Sequence, residues 1–302
     1  MAIDNATLSH LRGRIAALEG TALGPALEGR STGEDHGVIP FGLAAIDDHL
    51  PAGGLAGGCV HEITDGSNSG SATAFAAALA GRAQRLHRPP VVWIAPRIDQ
   101  RESLYGPGLA AFGLDPAALI IVRTPARGRN GAAQALWAME EALRTPAVGA
   151  VCAEIDMVDL TASRRLQLAA EAGGTFGLLL RSPLQSSANN GDNSAMPPAI
   201  PPIASVTRWR VTAAPSGPAW PPPLLGATRW QVELLRARGG RPHHWLLEWQ
   251  HDPTDETAGG FALATASGDR SAVPTVPNAG GLQPERILPP VRPPVRPLAH
   301  TG

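Results

Sequence analysis

Lysine is missing from this 302-residue chain, in which all 25 basic residues are arginine. A chain without lysine has no Schiff-base nucleophile, no lysine-bound pyridoxal phosphate and no phosphate-loop lysine. The arginines are balanced by 26 acidic residues, which leaves a net charge of -1. This balance argues against broad, non-specific binding to nucleic acid.

Cysteines and long apolar runs are also scarce. Cys59 and Cys152 each stand in an apolar stretch, which predicts buried thiols in a reducing compartment and excludes both a disulfide framework and a zinc site of the Cys-x-x-Cys type. No run of about 18 apolar residues occurs, so we expect no transmembrane helix. Residues 1–19 lack the uninterrupted apolar segment of a signal peptide. We therefore expect a cytoplasmic protein with no membrane association.

Apolar, strand-like segments alternate with helical segments from residue 38 to residue 182. The predicted strands are 59–63, 91–95, 119–122, 148–153 and 176–180, and the predicted helices are 71–86, 132–144 and 159–172. Strands that are apolar along their whole length are typical of a parallel sheet covered on both faces. The pattern predicts an α/β fold in which helices flank a mostly parallel sheet.

The segments around this core differ in composition. Residues 1–19 predict an amphipathic helix, 20–37 a linker, 183–204 a Pro/Ser/Asn-rich loop, 205–251 strands that complete the sheet, and 252–302 a disordered Pro-rich tail. The helix carries its apolar side chains on one stripe, Leu8, Leu11, Ile15 and Leu18. That stripe packs either on the protein's own core or on a partner, and the sequence leaves both open.

Tryptophans recur in the C-terminal strands at alternate positions. Trp230 shares a face with Val232 and Leu234, and Trp245 shares a face with Trp249. The turn at 239–242 joins the two segments, which predicts a β-hairpin with one buried face. We expect Trp209, on the preceding strand, to lie in the core as well.

The segment between the first predicted strand and the first long helix has the place and composition of a phosphate loop. In such loops backbone N–H groups and the helix N-terminus hold phosphate oxygens, a lysine neutralises them, and a hydroxyl holds magnesium. Three interpretations stay open: a Gly/Ser turn that caps a helix, a weak anion or nucleotide site, and a working ATPase loop. The residues concerned are Asp65, Gly66, Ser69, Gly70, Ser71 and Thr73.

The sequence from Gly42 through this loop to Glu154 resembles the core of RecA-type ATPases. The residues that match this core are Gly42–Leu50, Gly53-Gly54-Leu55, Gly58, Glu62-Ile63, Gly70 and Thr73. Against that family, Ser71 stands in the place of the lysine and Asp65 in the place of the first glycine. Arg97 stands where the water-activating glutamate is expected, and Glu154 is the carboxylate nearest the magnesium-binding aspartate. The resemblance implies a degenerate core with no catalytic residues, no cofactor and no metal.

The chain as a whole is similar to the ImuA family of damage-inducible mutagenesis proteins. The matching features are the N-terminal helix, the degenerate loop, 204–210, 229–239 and 245–249. The resemblance implies a cytoplasmic, nucleoid-associated accessory protein of SOS-induced, error-prone translesion synthesis. Its expected partners are a polymerase-like ImuB protein, an error-prone replicative-type polymerase and RecA. A SulA-like cell-division inhibitor and a weak DNA-dependent ATPase are the alternatives.

Three arginines follow a predicted strand and surround Gly128. Arg123, Arg127 and Arg129 have the charge to meet the phosphates of single-stranded DNA, although no aromatic side chain stands among them to stack on bases. A solvated loop is the alternative, so any binding of single-stranded DNA is expected to be weak.

Overall fold

The computed structural model describes residues 36–66, 69–87, 90–96, 104–125, 129–181, 203–216, 226–252 and 255–264. The predicted N-terminal helix with Leu8, Leu11, Ile15 and Leu18 lies outside these residues, as do Arg97 and Arg127. The strands are β1 (Val38–Ile39), β2 (Leu55–Ala56), β3 (Val60–Asp65), β4 (Val91–Pro96), β5 (Leu119–Thr124), β6 (Ala150–Glu154), β7 (Phe176–Arg181), β8 (Thr207–Ala214), β9 (Arg229–Ala237), β10 (His243–Asp252) and β11 (Asp255–Leu263). The helices are α1 (Ala44–Asp47), α2 (Ser71–His87), α3 (Gly106–Ala111), α4 (Arg129–Leu143) and α5 (Leu160–Gly173), with a 3-10 turn at Pro116–Ala118.

The described strands form one large sheet of nine strands and a separate pair, β1 with β2. The order in the large sheet is β11-β10-β9-β8-β3-β7-β6-β4-β5. From β5 to β8 every neighbouring pair is parallel, and from β8 to β11 every pair is antiparallel. The predicted α/β class with a mostly parallel sheet is confirmed.

Helices cover both faces of the parallel strands. On one face α2 lies over the sheet, and Phe75, Leu79 and most of its alanines are buried. On the other face α4 and α5 pack through Met139, Leu143 and Leu166. The sequence favoured this arrangement because strands apolar on both faces need a helical layer on each side.

A partly buried carboxylate, that of Asp47, holds the turn that leads into α1. The side chain of Asp47 accepts hydrogen bonds from the backbone N–H groups of Phe41, Gly42 and Leu43, at 2.7, 2.9 and 3.1 Å. Three N–H groups that face no other backbone partner are thereby satisfied. The Gly42–Leu50 motif thus builds a local structure that brings Phe41 into the core, where Phe41 is 1% exposed.

The C-terminal strands bury the tryptophans as expected. Trp209 and Trp230 are 0% and 1% exposed, and Trp245 and Trp249 are 6% and 1% exposed. Two of the indole N–H groups find backbone acceptors inside the fold: Trp245 Nε1 donates to the carbonyl of Ala45 at 3.0 Å and Trp249 Nε1 to that of Ala111 at 2.8 Å. These side chains are core, as predicted.

The prediction that 252–302 is disordered is wrong for residues 255–263, which form β11 and extend the hairpin by one strand. Phe261 is the reason, because it is 7% exposed and packs against Phe41, Phe75 and Trp249. Gly259 contributes too: a Cβ there would lie 2.4 Å from the Trp249 ring. In the sequence this glycine indicated disorder, whereas in the fold it allows β11 to pack closely against Trp249.

Among the described residues, no helix has the length and apolar character needed to cross a membrane.

Candidate functional site

The predicted phosphate loop lies between β3, the middle strand of the nine-stranded sheet, and α2, whose side chains are mostly buried. Strand β3 ends at Asp65, which is buried, and the backbone N–H of Gly66 donates to the carbonyl of Val211 on β8 at 2.8 Å. A Cβ on Gly66 would lie 2.2 Å from the Thr212 hydroxyl. The loop is therefore tied to β8 from its first residue. Residues 67 and 68 lie outside the described part of the chain.

The loop rejoins the fold at Gly70, immediately before α2. Gly70 has a φ of 75°, a left-handed conformation that favours glycine. Its carbonyl accepts from the N–H of Ala74 at 3.0 Å, which starts the helix. The Ser69 and Ser71 hydroxyl oxygens lie 2.6 Å apart, within hydrogen-bonding distance. Thus Ser71, which the sequence predicts in the place of a phosphate-loop lysine, lies within hydrogen-bonding distance of Ser69 and is 6% exposed.

A small cleft opens between this loop and the carboxyl ends of β6 and β7. Its volume is about 40 Å³, which is room for a few water molecules. The lining residues are Asp65, Ala72, Thr73, Glu154, Asp156, Leu180 and Arg181. Among them are three acidic side chains and one guanidinium, so the lining favours cations over phosphate oxygens.

The guanidinium in the cleft belongs to Arg181 and is already paired. Its Nη1 donates to Glu62 Oε1 at 2.9 Å, and its Nη2 donates to the Asp156 carbonyl at 3.3 Å. The second oxygen of Glu62 accepts from Arg208 Nε at 2.7 Å and from the Ser205 hydroxyl at 3.3 Å. Arg181 is 3% exposed and Glu62 is fully buried, so this pair is held without water around it.

Glu154 also has a partner in the fold, since its Oε1 accepts from the indole N–H of Trp93 at 2.9 Å. The structure therefore brings together Asp65, Thr73 and Glu154, which the sequence predicted as site residues, at the carboxyl edge of the sheet. It stays a prediction that Asp65 and Thr73 belong to a degenerate phosphate loop and that Glu154 corresponds to the magnesium-binding carboxylate.

Sequence reasoning missed Arg181, Asp156 and Glu62. The signal for Arg181 was its place directly after the apolar run 176–180, because the carboxyl ends of parallel strands meet at one edge. The signal for Glu62 was a carboxylate inside an otherwise apolar strand, which requires a buried cation. Which cation pairs with Glu62, however, depends on contacts between residues that lie more than a hundred positions apart in the sequence.

A buried histidine lies next to Glu62 on β3. His61 Nδ1 is 2.8 Å from the Thr207 hydroxyl oxygen, and Nε2 is 2.9 Å from the Ala56 carbonyl oxygen. Burial lowers the pKa of His61 to about 4, although the hydrogen bond to Ala56 opposes the change. His61 is therefore a neutral, structural side chain near pH 7.

The other candidate residues do not converge on this cleft. Arg123 lies on β5 and Arg129 opens α4, and both are exposed. No cluster of three or more metal-ligating side chains occurs in the described ranges. Burial raises the pKa of both cysteine thiols, Cys59 and Cys152, as expected for core residues.

The chain is similar in sequence to a named protein over most of its length. It is 40% identical over 218 residues to Protein ImuA of Caulobacter vibrioides, in strains NA1000 / CB15N and ATCC 19089 / CIP 103742 / CB 15. The alignment covers 70% of this chain and 84% of the relative. The chain belongs to the ImuA family.

No protein-family model matches the chain, so its assignment to the ImuA family depends on the direct similarity to these relatives. The resemblance stated from the sequence is confirmed at the level of the family. The acidic lining of the cleft and the pairing of Arg181 with Glu62 are thus features of an ImuA-family member.

Proposed function

We propose that this protein is a non-catalytic accessory protein, an adaptor, in SOS-induced, error-prone translesion DNA synthesis in the cytoplasm. Its partners in this proposal are an ImuB-type polymerase-like protein and, through it, an error-prone replicative-type polymerase; RecA is a further candidate. The similarity to Protein ImuA over 84% of that relative's length carries the proposal.

The chemistry of the cleft supports an adaptor over an ATPase. A triphosphate needs cationic groups that can turn toward it, and a charge-assisted contact is worth roughly 1.5–3 kcal/mol. The chain has no lysine, and Arg181 in the cleft is engaged with Glu62. Asp65 and Glu154 add negative charge where the phosphates would lie. Arg97, proposed to replace the water-activating carboxylate, lies outside the described residues.

The direct test is co-purification with the ImuB-type protein encoded in the same organism. We expect the two full-length proteins to elute together from a gel-filtration column, and deletion of this gene to lower the frequency of ultraviolet-induced mutation at least tenfold. The matched control is a chromosomal Glu233→Ala variant, which removes only a solvent-exposed ion pair with Arg210. Separate elution together with unchanged mutation frequency would overturn the proposal.

The absence of ATP turnover is tested separately. We expect the purified protein to release no phosphate from Mg²⁺-ATP above the level of a no-enzyme control, with or without single-stranded DNA. DNA-stimulated hydrolysis that is lost in a Gly70→Val variant would replace the adaptor with the ATPase alternative. Gly70 is suited to this purpose because, among the described residues other than its chain neighbours, no atom lies within 4 Å of where its Cβ would stand, although its positive φ adds some strain.

A further inference from the structure

The last strand of the parallel sheet exposes apolar side chains on both of its faces. Strand β5 pairs with β4 on one side and ends the sheet on the other. Ile120 and Ile121 are successive residues, so they point to opposite faces of the sheet. They are 49% and 39% exposed, whereas Ile94 and Trp93 on the neighbouring strand are fully buried.

An exposed edge of this kind can pair with a strand from another chain. Alternate N–H and C=O groups along β5 point away from β4, and no described strand pairs with them. Proteins usually protect such edges with charged residues, prolines or bulges. The first four residues of β5, Leu119 to Val122, include none of these.

Positive charge gathers at the carboxyl end of the same strand. Arg123 lies on β5 and Arg129 opens the next helix, and both are exposed. Neither forms an ion pair with a carboxylate of the described chain. Arg129 also stands at a helix N-terminus, where the helix dipole disfavours a cation. An anionic group from outside the chain would relieve both conditions.

We propose that β5 accepts an extended segment of the ImuB-type partner as an additional strand of the sheet. The segment would have about six residues, with apolar side chains at two successive positions, one on each face of the sheet, to cover Ile120 and Ile121, and an acidic side chain that faces Arg123. Backbone hydrogen bonds supply affinity in this mode of recognition, and the side chains supply selectivity. This inference rests on the adaptor function proposed above.

The choice of a protein strand over DNA follows from the apolar side chains. Single-stranded DNA is bound by cations together with aromatic platforms, and no aromatic residue occurs on β5 or between its end and Arg129. Two exposed isoleucines beside two arginines match an acidic, apolar peptide better than a nucleic acid. Binding of DNA is therefore the competing outcome in the test.

The experiment measures binding of the purified ImuB-type partner to the full-length chain by gel filtration and calorimetry, together with hydrogen exchange of the 119–124 amides. We expect the partner to slow exchange in β5 and the Ile121→Glu variant to weaken binding at least tenfold. Arg123→Glu should weaken it three- to tenfold, and Arg123→Lys should restore most of the affinity. Arg123 is exposed, so these two variants remain informative if Ile121→Glu does not fold.

The matched control is Leu263→Glu, an exposed apolar residue on β11 at the opposite end of the sheet. It should bind the partner as the wild type does. If the two wild-type proteins do not bind each other, both this inference and the adaptor function are overturned. Normal binding by Ile121→Glu and Arg123→Glu, with unchanged exchange in β5, would overturn this inference alone.

Two further measurements address other occupants of the edge. If a fluorescent dT20 oligonucleotide binds the wild type and Arg123→Glu abolishes that binding while the partner binds both equally, the edge is a DNA interface. If the chain alone elutes as a dimer that Ile121→Glu converts to a monomer, the occupant is a second copy. Either result would overturn the assignment to the partner.

Discussion

Glu62 shows how a single buried charge organises the centre of this fold. It lies on β3, between β7 and β8, and its two carboxylate oxygens bind an arginine from each of those strands. The Ser205 hydroxyl completes the set. The network ties the parallel part of the sheet to its antiparallel extension, and it holds Arg181 away from any ligand in the cleft.

Replacing Glu62 should be far more costly than replacing a surface carboxylate. Removing one member of a buried ion pair leaves an uncompensated charge, so we expect Glu62→Ala to lower the free energy of unfolding by about 3–5 kcal/mol. Urea denaturation followed by circular dichroism measures this. Glu62→Gln keeps the shape of the side chain and one acceptor oxygen but loses the charge and the second acceptor, so it should fall between the alanine variant and the wild type.

The control for Glu62 is Glu233→Ala, which removes another carboxylate paired with an arginine of β8. The side chains of Glu233 and Arg210 are 33% and 48% exposed, and such pairs contribute under about 1 kcal/mol. If the two alanine variants were destabilised equally, the buried network would have no special part in stability.

His61 predicts a pH dependence of stability on the acid side. The unfolded histidine takes up a proton near pH 6.5, whereas the folded one does so only near pH 4 because of its burial. The contribution of the neutral side chain is therefore complete above pH 6.5 and is lost as the pH falls toward 4, by roughly 3 kcal/mol. Unfolding free energies measured at several pH values between 7 and 4 should show this slope.

A His61→Gln variant should lose that slope, whatever its stability at pH 7, because glutamine does not titrate. His244→Gln, at an exposed position on β10, should keep it. A slope that stays the same in His61→Gln would mean that other groups produce the acid sensitivity.

At the scale of elements, close packing around α2 explains a glycine that helix propensity alone would disfavour. A Cβ at Gly81 would lie 2.2 Å from the Gly113 carbonyl oxygen and 2.5 Å from its carbonyl carbon. Backbone atoms cannot move aside as a flexible side chain can. Arg85 Nη1 donates to the same carbonyl at 2.8 Å, so the approach of the loop after α3 to α2 is fixed on both counts.

Gly81→Ala should therefore destabilise the protein although alanine favours helices by about 1 kcal/mol. We expect a loss of about 1–3 kcal/mol, the usual cost of overpacking, as a lower melting temperature. Gly106→Ala is the control, because the nearest atom to its Cβ is Pro116 Cβ at 3.9 Å, and it should cause no loss. Equal melting temperatures for both variants would contradict the packing argument.

The elements that sequence reasoning predicted are those whose apolar pattern is continuous. The run 176–180 and the stripe that includes Met139 and Leu143 have counterparts in β7 and α4. Strands β1 and β2, which pair with each other, have two residues each and are too short to leave a periodic pattern. Strand β11 was missed because the Pro, Gly, Thr and Ala composition after His251 indicated disorder, and only the neighbouring Trp249 ring shows why a glycine is needed at position 259.

The site was predictable in position and not in chemistry. The strand, loop and helix at 59–86 indicated where a ligand would bind in a parallel α/β sheet, and Asp65, Thr73 and Glu154 do line one cleft. The cation in that cleft comes from β7, and its partner Glu62 lies 119 residues away in sequence. Contacts over such distances depend on the order of strands, which local patterns do not encode.

At the scale of the whole molecule, the sheet has an open edge at β5 and a closed middle. The cleft at the centre contains Arg181, which is paired with Glu62, and acidic side chains, whereas β5 at the edge is open and flanked by arginines. Under the adaptor function proposed above, the surface at the edge serves a partner. Restoring one residue in the middle should therefore not restore an ATPase.

The Ser71→Lys variant tests that statement. We expect it to release no more phosphate from Mg²⁺-ATP than the wild type does, and to bind a fluorescent ATP analogue no tighter than about 1 mM. The new ammonium group would lie beside Asp65 and Glu154, which line the same cleft, and would be neutralised by them before it met a phosphate. Removing a positioned group from a transition state costs about 100-fold or more, and the sequence predicts Arg97 in the place of the carboxylate that activates water. Ser71→Ala controls for loss of the Ser69 contact, and both variants should match the wild type in turnover.

Hydrolysis by Ser71→Lys that exceeds the wild type and the alanine control would mean that the cleft still has the machinery of an ATPase, and that the missing lysine is its one defect.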